Sequence, residues 1–354
     1  METILVTGGA GFLGSNLATL LKQTYAAARV VAFDNLRRRG SEHILPRLTA
    51  HGVEFVHGDV RNPSDLQIGG VDLILECSAE PSVLAGREGG ARYLIDSNLG
   101  GVINCLELAR QSKAGLLFIS SSRVYPFDRL NGLPFVPVGA RMEFEPGKAL
   151  PQGISAQGLT TEFPLPGKRT IYGATKLAAE LLIREYADVY DFPALVFRFG
   201  VLAGPWQMGK LDQGFTALWV ARHLAGQGLD YVGYGGTGHQ VRDVLHVCDA
   251  FDLVQASLGK LAGLRGEVFN AGGGLANSVS LQEMTAICRA VTGREVPLGR
   301  VPETRPGDIP WYVTDNAVTS AAFGWRPQRP VEQVVRDTAA WLGERPEILK
   351  QLGG

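Results

Sequence analysis

Cysteine is scarce: Cys77, Cys105, Cys248 and Cys288 are the four in 354 residues, with no C-x-x-C pair and no metal-ligand spacing. That excludes a disulfide-stapled scaffold and gives no reason to expect a metal; buried thiols in a reducing compartment are expected instead. No uninterrupted apolar stretch reaches bilayer length, so no membrane span is expected. Neither sign of charge is in surplus, since 34 Lys and Arg stand against 35 Asp and Glu. Without a long basic block, neither nucleic acid nor an anionic membrane surface is an expected partner. The short Arg37-Arg38-Arg39 run reads as a solvated loop. A strand pattern begins at once with Ile4-Leu5-Val6, leaving no room for a signal peptide, and a cytoplasmic protein is expected. Internal repeats and low-complexity tracts are also missing.

What the chain does have is glycine, 45 residues of it, and a regular alternation of short β-branched runs with helical patterns. Strands are expected at 3–7, 29–34, 53–57, 71–77, 115–121 and 194–199. Between them lie amphipathic segments such as Leu99, Val102, Ile103, Leu106 and Ala109. Such alternation predicts an α/β fold, a doubly wound parallel sheet of the Rossmann kind. Residues 126–170 are rich in Pro and Gly and read as a loop or lid inserted into this first domain, 1–199. Beyond 200 the rhythm fades. Residues 200–239 and 261–354 are expected to form a smaller C-terminal substrate-binding lobe, with 240–260 packing back onto the first domain.

The stretch TGGAGFLGSNL at 7–17 carries the first chemical signal. Gly9-x-Gly11-x-x-Gly14 fits the dinucleotide fingerprint, and Gly8-x-x-Gly11-x-x-Gly14 fits its short-chain dehydrogenase variant. Glycine permits the tight turn, lets backbone approach a pyrophosphate and lets helix pack closely on strand. Phe12 and Leu13 open the helix whose N-terminal N–H groups and positive dipole end favour an anion. Asp34, with Asn35 beside it, ends the next strand twenty positions after Gly14. An acid there accepts hydrogen bonds from the adenosine ribose and repels a 2′-phosphate, which selects NAD over NADP. Asp59-Val60, ending the third strand, is placed beside the adenine, where a plain turn is the competing reading.

YGATK sets Tyr172 and Lys176 four residues apart on one helix face. A phenol is a weak base at neutral pH, and a neighbouring ammonium stabilises its phenolate. Upstream, LLFISSSRVY runs a buried strand into a serine cluster, and parallel strands end where such folds place their chemistry. Fingerprint, serine-rich strand end and Tyr-x-x-x-Lys arrive in the order of the short-chain dehydrogenase/reductase superfamily. Over nearly its whole length the chain resembles the nucleotide-sugar epimerases and dehydratases of the extended branch.

That resemblance implies Tyr172 as base, Lys176 as its activator and holder of the nicotinamide ribose, and Ser121 as hydrogen-bond partner of the reacting sugar oxygen. Ser120 and Ser122 are neighbours easily confused with Ser121; the family's Ser or Thr three residues before Val-Tyr selects Ser121. SNLGGVINCLELAR (97–110) resembles the helix whose asparagine, here Asn98, approaches the cofactor. VRDVLHV (241–247) and RPGDIP (305–310) resemble segments whose arginines, here Arg242 and Arg305, bind a nucleotide diphosphate, which suits bidentate guanidinium. Ser122 and Arg123 fall beside the sugar, at positions where resembling dehydratases carry Asp-Glu.

FDNLRRRGSEHIL, GVLAGPWQMGKLDQGF and GYGGTGHQVRD resemble the group of CDP-paratose 2-epimerases, and the second of these puts Gln207 and Gln213 at the substrate. A CDP-sugar is therefore the favoured partner, with a UDP-sugar 4-epimerase and a non-catalytic nucleotide-sensing protein as alternatives. A homodimer through helices near 98–112 and 172–190 is also implied. Two departures stand out: Glu76-Cys77-Ser78-Ala79 replaces the family's His-x-Ala-Ala, and Ser121 stands where threonine is common.

Overall fold

A computed structural model describes residues 2–87, 90–209 and 214–353. The chain divides into two compact units, one made of 1–124, 170–198 and 251–269, the other of 125–169, 199–250 and 270–354.

The first unit is organised by a seven-stranded sheet. Its strands run in the order Arg265–Ala271, Ala194–Phe199, Gly115–Ser121, Leu73–Glu76, Thr3–Thr7, Arg29–Asp34 and Glu54–His57. The pairs from Gly115–Ser121 out to Glu54–His57 are all parallel. The chain starts mid-sheet and winds to one edge before crossing to the other, so carboxyl ends of Thr3–Thr7 and Leu73–Glu76 meet where the direction reverses. Ligands bind such folds at that reversal. The inner strands are largely apolar because helices cover both faces of a parallel sheet. Leu5, Val31, Phe33, Ile74, Leu116 and Val196 pack with Val102 and Leu106 of the helix Gly101–Ser112 and with Ile183 of the helix Ile171–Tyr190.

The six expected strands are all present, at 3–7, 29–34, 54–57, 73–76, 115–121 and 194–199. The seventh, Arg265–Ala271, is an addition: its sequence RGEVFNA has too few consecutive apolar residues to announce a buried strand.

In the second unit, the strand Val241–His246 pairs in parallel with Val201–Ala203 and Trp311–Tyr312 and antiparallel with Ser278–Ser280. Trp219, Tyr231, Val244, Met284, Val335 and Leu342 are core residues of this unit. The stretch 126–170, read from sequence as loop or lid, holds two antiparallel hairpins, Phe135–Val138 with Arg141–Phe144 and Ile154–Ser155 with Gly158–Leu159. Phe135 and Phe144 lie 5.5 and 5.3 Å from the Trp311 ring, and Leu159 N–H donates to the Val313 carbonyl at 2.7 Å. Strands of two and four residues are too short to show a period.

Candidate active site

The dinucleotide turn is built by exclusion of side chains. Gly8 takes φ +61°, and a Cβ there would meet the Cys77 carbonyl oxygen at 2.8 Å. A Cβ on Gly14 would stand 2.2 Å from the Gly8 oxygen, and one on Gly11 2.9 Å from it. Only glycine lets helix Phe12–Thr24 approach the turn this closely. That helix has Gly11 as its N-cap with no side-chain cap, and no acid in its first turn. Its first N–H donors, on Phe12 and Leu13, therefore keep their capacity for an external anion. A cradle that a single methyl would fill, beside an uncapped helix start, fits a pyrophosphate.

Asp34 sits at the next strand end. Its Oδ2 accepts from the Ala10 N–H at 3.1 Å and its Oδ1 from the Leu36 N–H at 2.8 Å. Burial pushes the carboxyl up from its ordinary range, and those two amides pull it back. Asn35 donates to Asp59 Oδ2 at 2.9 Å. Asp59 is also gripped by Arg61, through Nε to Oδ1 at 2.9 Å and Nη2 to Oδ2 at 2.6 Å; the side-chain bond from Arg61 chiefly holds its carboxyl well below the carboxylate range. The Arg61 and Arg37 guanidiniums both lie over the Tyr93 ring, 4.8 and 3.9 Å from its centroid. Arg37 is thereby part of a stacked cluster rather than a bare loop charge. Val60 is buried, and a Cβ on Gly101 would meet its side chain at 2.7 Å. On stripped protein NAD is expected to raise the melting temperature more than NADP does, because Asp34 repels a 2′-phosphate. Equal or larger stabilisation by NADP would remove Asp34 from that role.

The helix Ile171–Tyr190 begins at Thr170, whose side chain caps the Gly173 N–H at 3.2 Å. This start puts Tyr172 in the first turn and Lys176 one turn later, both buried. Lys176 Nζ donates to the Ile119 carbonyl at 2.8 Å and lies 4.5 Å from the centre of the Phe118 ring. The ammonium is thus tied to the strand that ends at Ser121. Ser121 Oγ accepts from the Arg123 N–H at 3.2 Å, which leaves its own proton available for donation. Asn98 lies in a π-helical segment, Asp96–Gly100. Its amide clasps the backbone of Glu80, accepting from N–H at 2.7 Å and donating to the carbonyl at 3.1 Å. Asn98 therefore holds the loop after Leu73–Glu76.

Beneath these residues lies a group the sequence reading missed. Arg198 reaches Glu180 through Nη2 to Oε2 at 2.6 Å and Nε to Oε1 at 3.1 Å, and the Ser120 hydroxyl donates to the same carboxylate. All three are buried. An arginine inside the otherwise apolar run ALVFRF was the available signal, since a buried guanidinium requires an acid.

In the second unit, Arg242 is held by its own chain. Its Nη2 donates to Asp308 Oδ1 at 2.8 Å and the Ile309 carbonyl at 2.7 Å, and Nη1 donates to the Val241 carbonyl at 2.8 Å. Arg305, partly exposed, opens the turn closed by the Asp308 N–H on the Arg305 carbonyl at 3.0 Å. Gln207 donates to the Leu202 carbonyl at 2.9 Å, while its Oε1 is buried without a partner among the described residues. Gln213 lies outside the described residues. Ser122 and Arg123 form a short 3₁₀ turn directly after Ser121. Among the described residues no group of three His, Cys, Asp or Glu could hold a metal ion, and no helix is long and apolar enough to cross a membrane.

The chain is similar to CDP-paratose 2-epimerase of Salmonella typhi, 29% identical over 96% of this chain and 98% of that one. It is also similar to UDP-glucose 4-epimerase of Neisseria meningitidis serogroup A, 26% identical over 98% of each. Among solved structures, dTDP-glucose 4,6-dehydratase of Bacillus anthracis in complex with NAD superposes with a TM-score of 0.78 at 26% identity, over 99% of this chain and 100% of that one. The model of the NAD dependent epimerase/dehydratase family matches residues 4–272, well over half of the chain. A glycine turn closed to side chains beside an uncapped helix start thus has its explanation: the chain belongs to the NAD dependent epimerase/dehydratase family, and its cofactor is NAD.

Proposed function

We propose that this chain is an epimerase that inverts one carbinol of a nucleotide-diphosphate sugar through a transient ketone, with CDP-paratose to CDP-tyvelose, inverted at C2, as the favoured reaction. The observation that carries the chemistry is Lys176, buried, bonded to Ile119 and one helical turn from Tyr172. The resemblance to CDP-paratose 2-epimerase supports the sugar. NAD, when bound, accepts a hydride and can return it. Tyr172 takes the carbinol proton as C2 loses its hydride, and gives that proton back when the ketone, turned to its other face, is reduced. Lys176 supplies a positive charge one helical turn from the phenol. Ser121 donates to the sugar oxygen, since its own oxygen already accepts from Arg123. Overall redox balance is zero.

Running the reaction in heavy water tests this. Direct hydride return leaves C2 free of deuterium, whereas inversion through an enol, after oxidation at a neighbouring carbon, labels it. Deuterium at C2 would overturn the mechanism. Turnover of UDP-galactose or UDP-glucuronate with none of CDP-paratose would favour a UDP-sugar 4-epimerase, the reading that the Neisseria relative supports. A 4-keto-6-deoxy product is not expected, because Ser122 and Arg123 supply no acid and base for elimination. The full Ser121, Tyr172 and Lys176 set weighs against a purely sensing protein.

The second unit is assigned the nucleotide sugar, with Arg242 and Arg305 on its diphosphate and Gln207 and Gln213 nearby. Arg305→Ala and Arg242→Ala are each expected to raise KM by about ten- to a hundredfold, the worth of a hydrogen bond to a charged group. Unchanged KM in folded protein would leave both arginines as structural ion-pair partners. Leu181 and Val189 project exposed from the helix Ile171–Tyr190, and we assign that face to a second copy of the chain in a cytoplasmic homodimer.

A further inference from the structure

Glu76 is a fully buried ionisable group that the chemistry above does not use. It ends the strand Leu73–Glu76 and is paired in register with Thr7, the last residue before the glycine turn. The Thr7 hydroxyl donates to its Oε1 at 3.2 Å, and the Ser78 hydroxyl donates to the same oxygen. Oε2 is buried with no partner among the described residues. The residues that follow press on the turn itself, since a Cβ on Gly8 would stand 2.8 Å from the Cys77 oxygen and 2.9 Å from Ser78 Cα. The carboxyl therefore lies immediately behind the backbone that receives the pyrophosphate.

The groups facing it are few. The Thr7 hydroxyl comes from the first strand, the Ser78 hydroxyl and Cys77 thiol from its own segment, and the Cys105 thiol from the helix Gly101–Ser112. The Lys176 ammonium, from the helix Ile171–Tyr190, is the one opposite charge acting on it, and its hydrogen bond goes to Ile119. Among the described residues no ion pair joins the two side chains. An ionised carboxylate here would bury a charge and set it behind a doubly negative pyrophosphate; a carboxylic acid carries no such charge.

We propose that Glu76 is a cofactor-affinity residue that works as the uncharged acid: protonated, it accepts the two hydroxyls beneath the turn without placing a charge there, and ionised, it weakens NAD binding. Burial pushes this carboxyl up from its ordinary range, and the Lys176 charge followed by the two hydroxyls opposes that push only in part. A carboxyl whose pKa is raised in the folded protein contributes fully below its unfolded value, and the contribution is lost as pH rises through the folded value. NAD affinity at this site should follow the same sign.

The test is the NAD dissociation constant of stripped protein from about pH 6 to about pH 9, for wild type and Glu76→Gln. The ratio of wild-type to variant Kd is expected to grow with pH, by up to about tenfold per unit once the acid ionises. A ratio that is flat or falls with pH overturns the proposal, because a neutral amide would then be no substitute for the working form. Infrared spectra at neutral pH should show a protonated-carboxyl band in wild type that Glu76→Gln lacks; identical spectra overturn it too. Should the Gln variant not fold, Tyr172→Phe protein retains Glu76 without the phenol. Calorimetric NAD titration of that protein in two buffers of unlike ionisation heat is expected to show proton uptake at alkaline pH, and its absence refutes the role.

Discussion

Tyr172→Phe is expected to lower kcat by about 10²- to 10⁴-fold, the range for losing a positioned acid–base group, while NAD binding is preserved. The phenol ring is buried in the first turn of the helix Ile171–Tyr190, so phenylalanine keeps the packing and removes only the hydroxyl. Single-turnover reduction of bound NAD, monitored by absorbance, separates the two effects. Retention of more than about a tenth of kcat, a barrier change under ~1.4 kcal/mol, would show that Tyr172 is not the base. The companion variant Lys176→Met differs in kind. It removes a charge anchored to the Ile119 carbonyl, so both turnover and NAD retention should fall.

Glu180→Ala is expected to destabilise the fold by about 3–5 kcal/mol, the usual consequence of removing one member of a buried ion pair. The buried Arg198 guanidinium would lose this carboxylate, and the Ser120 hydroxyl would lose its acceptor. The pair joins the helix carrying Tyr172 and Lys176 to the strand Ala194–Phe199, and Ser120 adds the strand carrying Ser121. Chemical denaturation measures this as a shift in midpoint at unchanged slope. A loss below about 1 kcal/mol would mean that the pair is hydrated and does not brace the site.

The parts of this molecule legible in its sequence are those whose cause is local. TILVT and RVVAFD announce themselves because buried parallel strands are near-continuous apolar runs. The glycine turn is legible because no other residue survives contacts of 2.2 to 2.9 Å with backbone. Spacing puts Tyr172 and Lys176 on one helix face, and the resemblance supplies the roles expected of them. What stayed hidden depends on distant partners. Nothing near Arg242 in sequence says that Asp308 occupies its guanidinium, 66 residues away. Nor does the run 126–170 disclose that Trp311 completes an aromatic cluster with Phe135 and Phe144. The resemblance pointed to Asn98 as a residue near the cofactor, but its hold on Glu80 required the fold.

The first unit is assembled from three separated stretches, the last ending at residue 269. During synthesis its sheet must therefore wait. When the first 124 residues have left the ribosome, Gly115–Ser121 is an open edge whose neighbour, Ala194–Phe199, has yet to be made. An unpaired apolar edge is a template for the wrong partner, and non-local parallel pairing closes slowly. Domains commonly fold N-terminal first as the chain emerges, but this one gains the strand Arg265–Ala271 only after its other six strands have been made. A nascent chain stalled before Arg265 carries every residue of the glycine turn, of Tyr172 and of Lys176, yet still lacks the strand that closes its sheet. Chaperone demand should accordingly fall in the window between these two events.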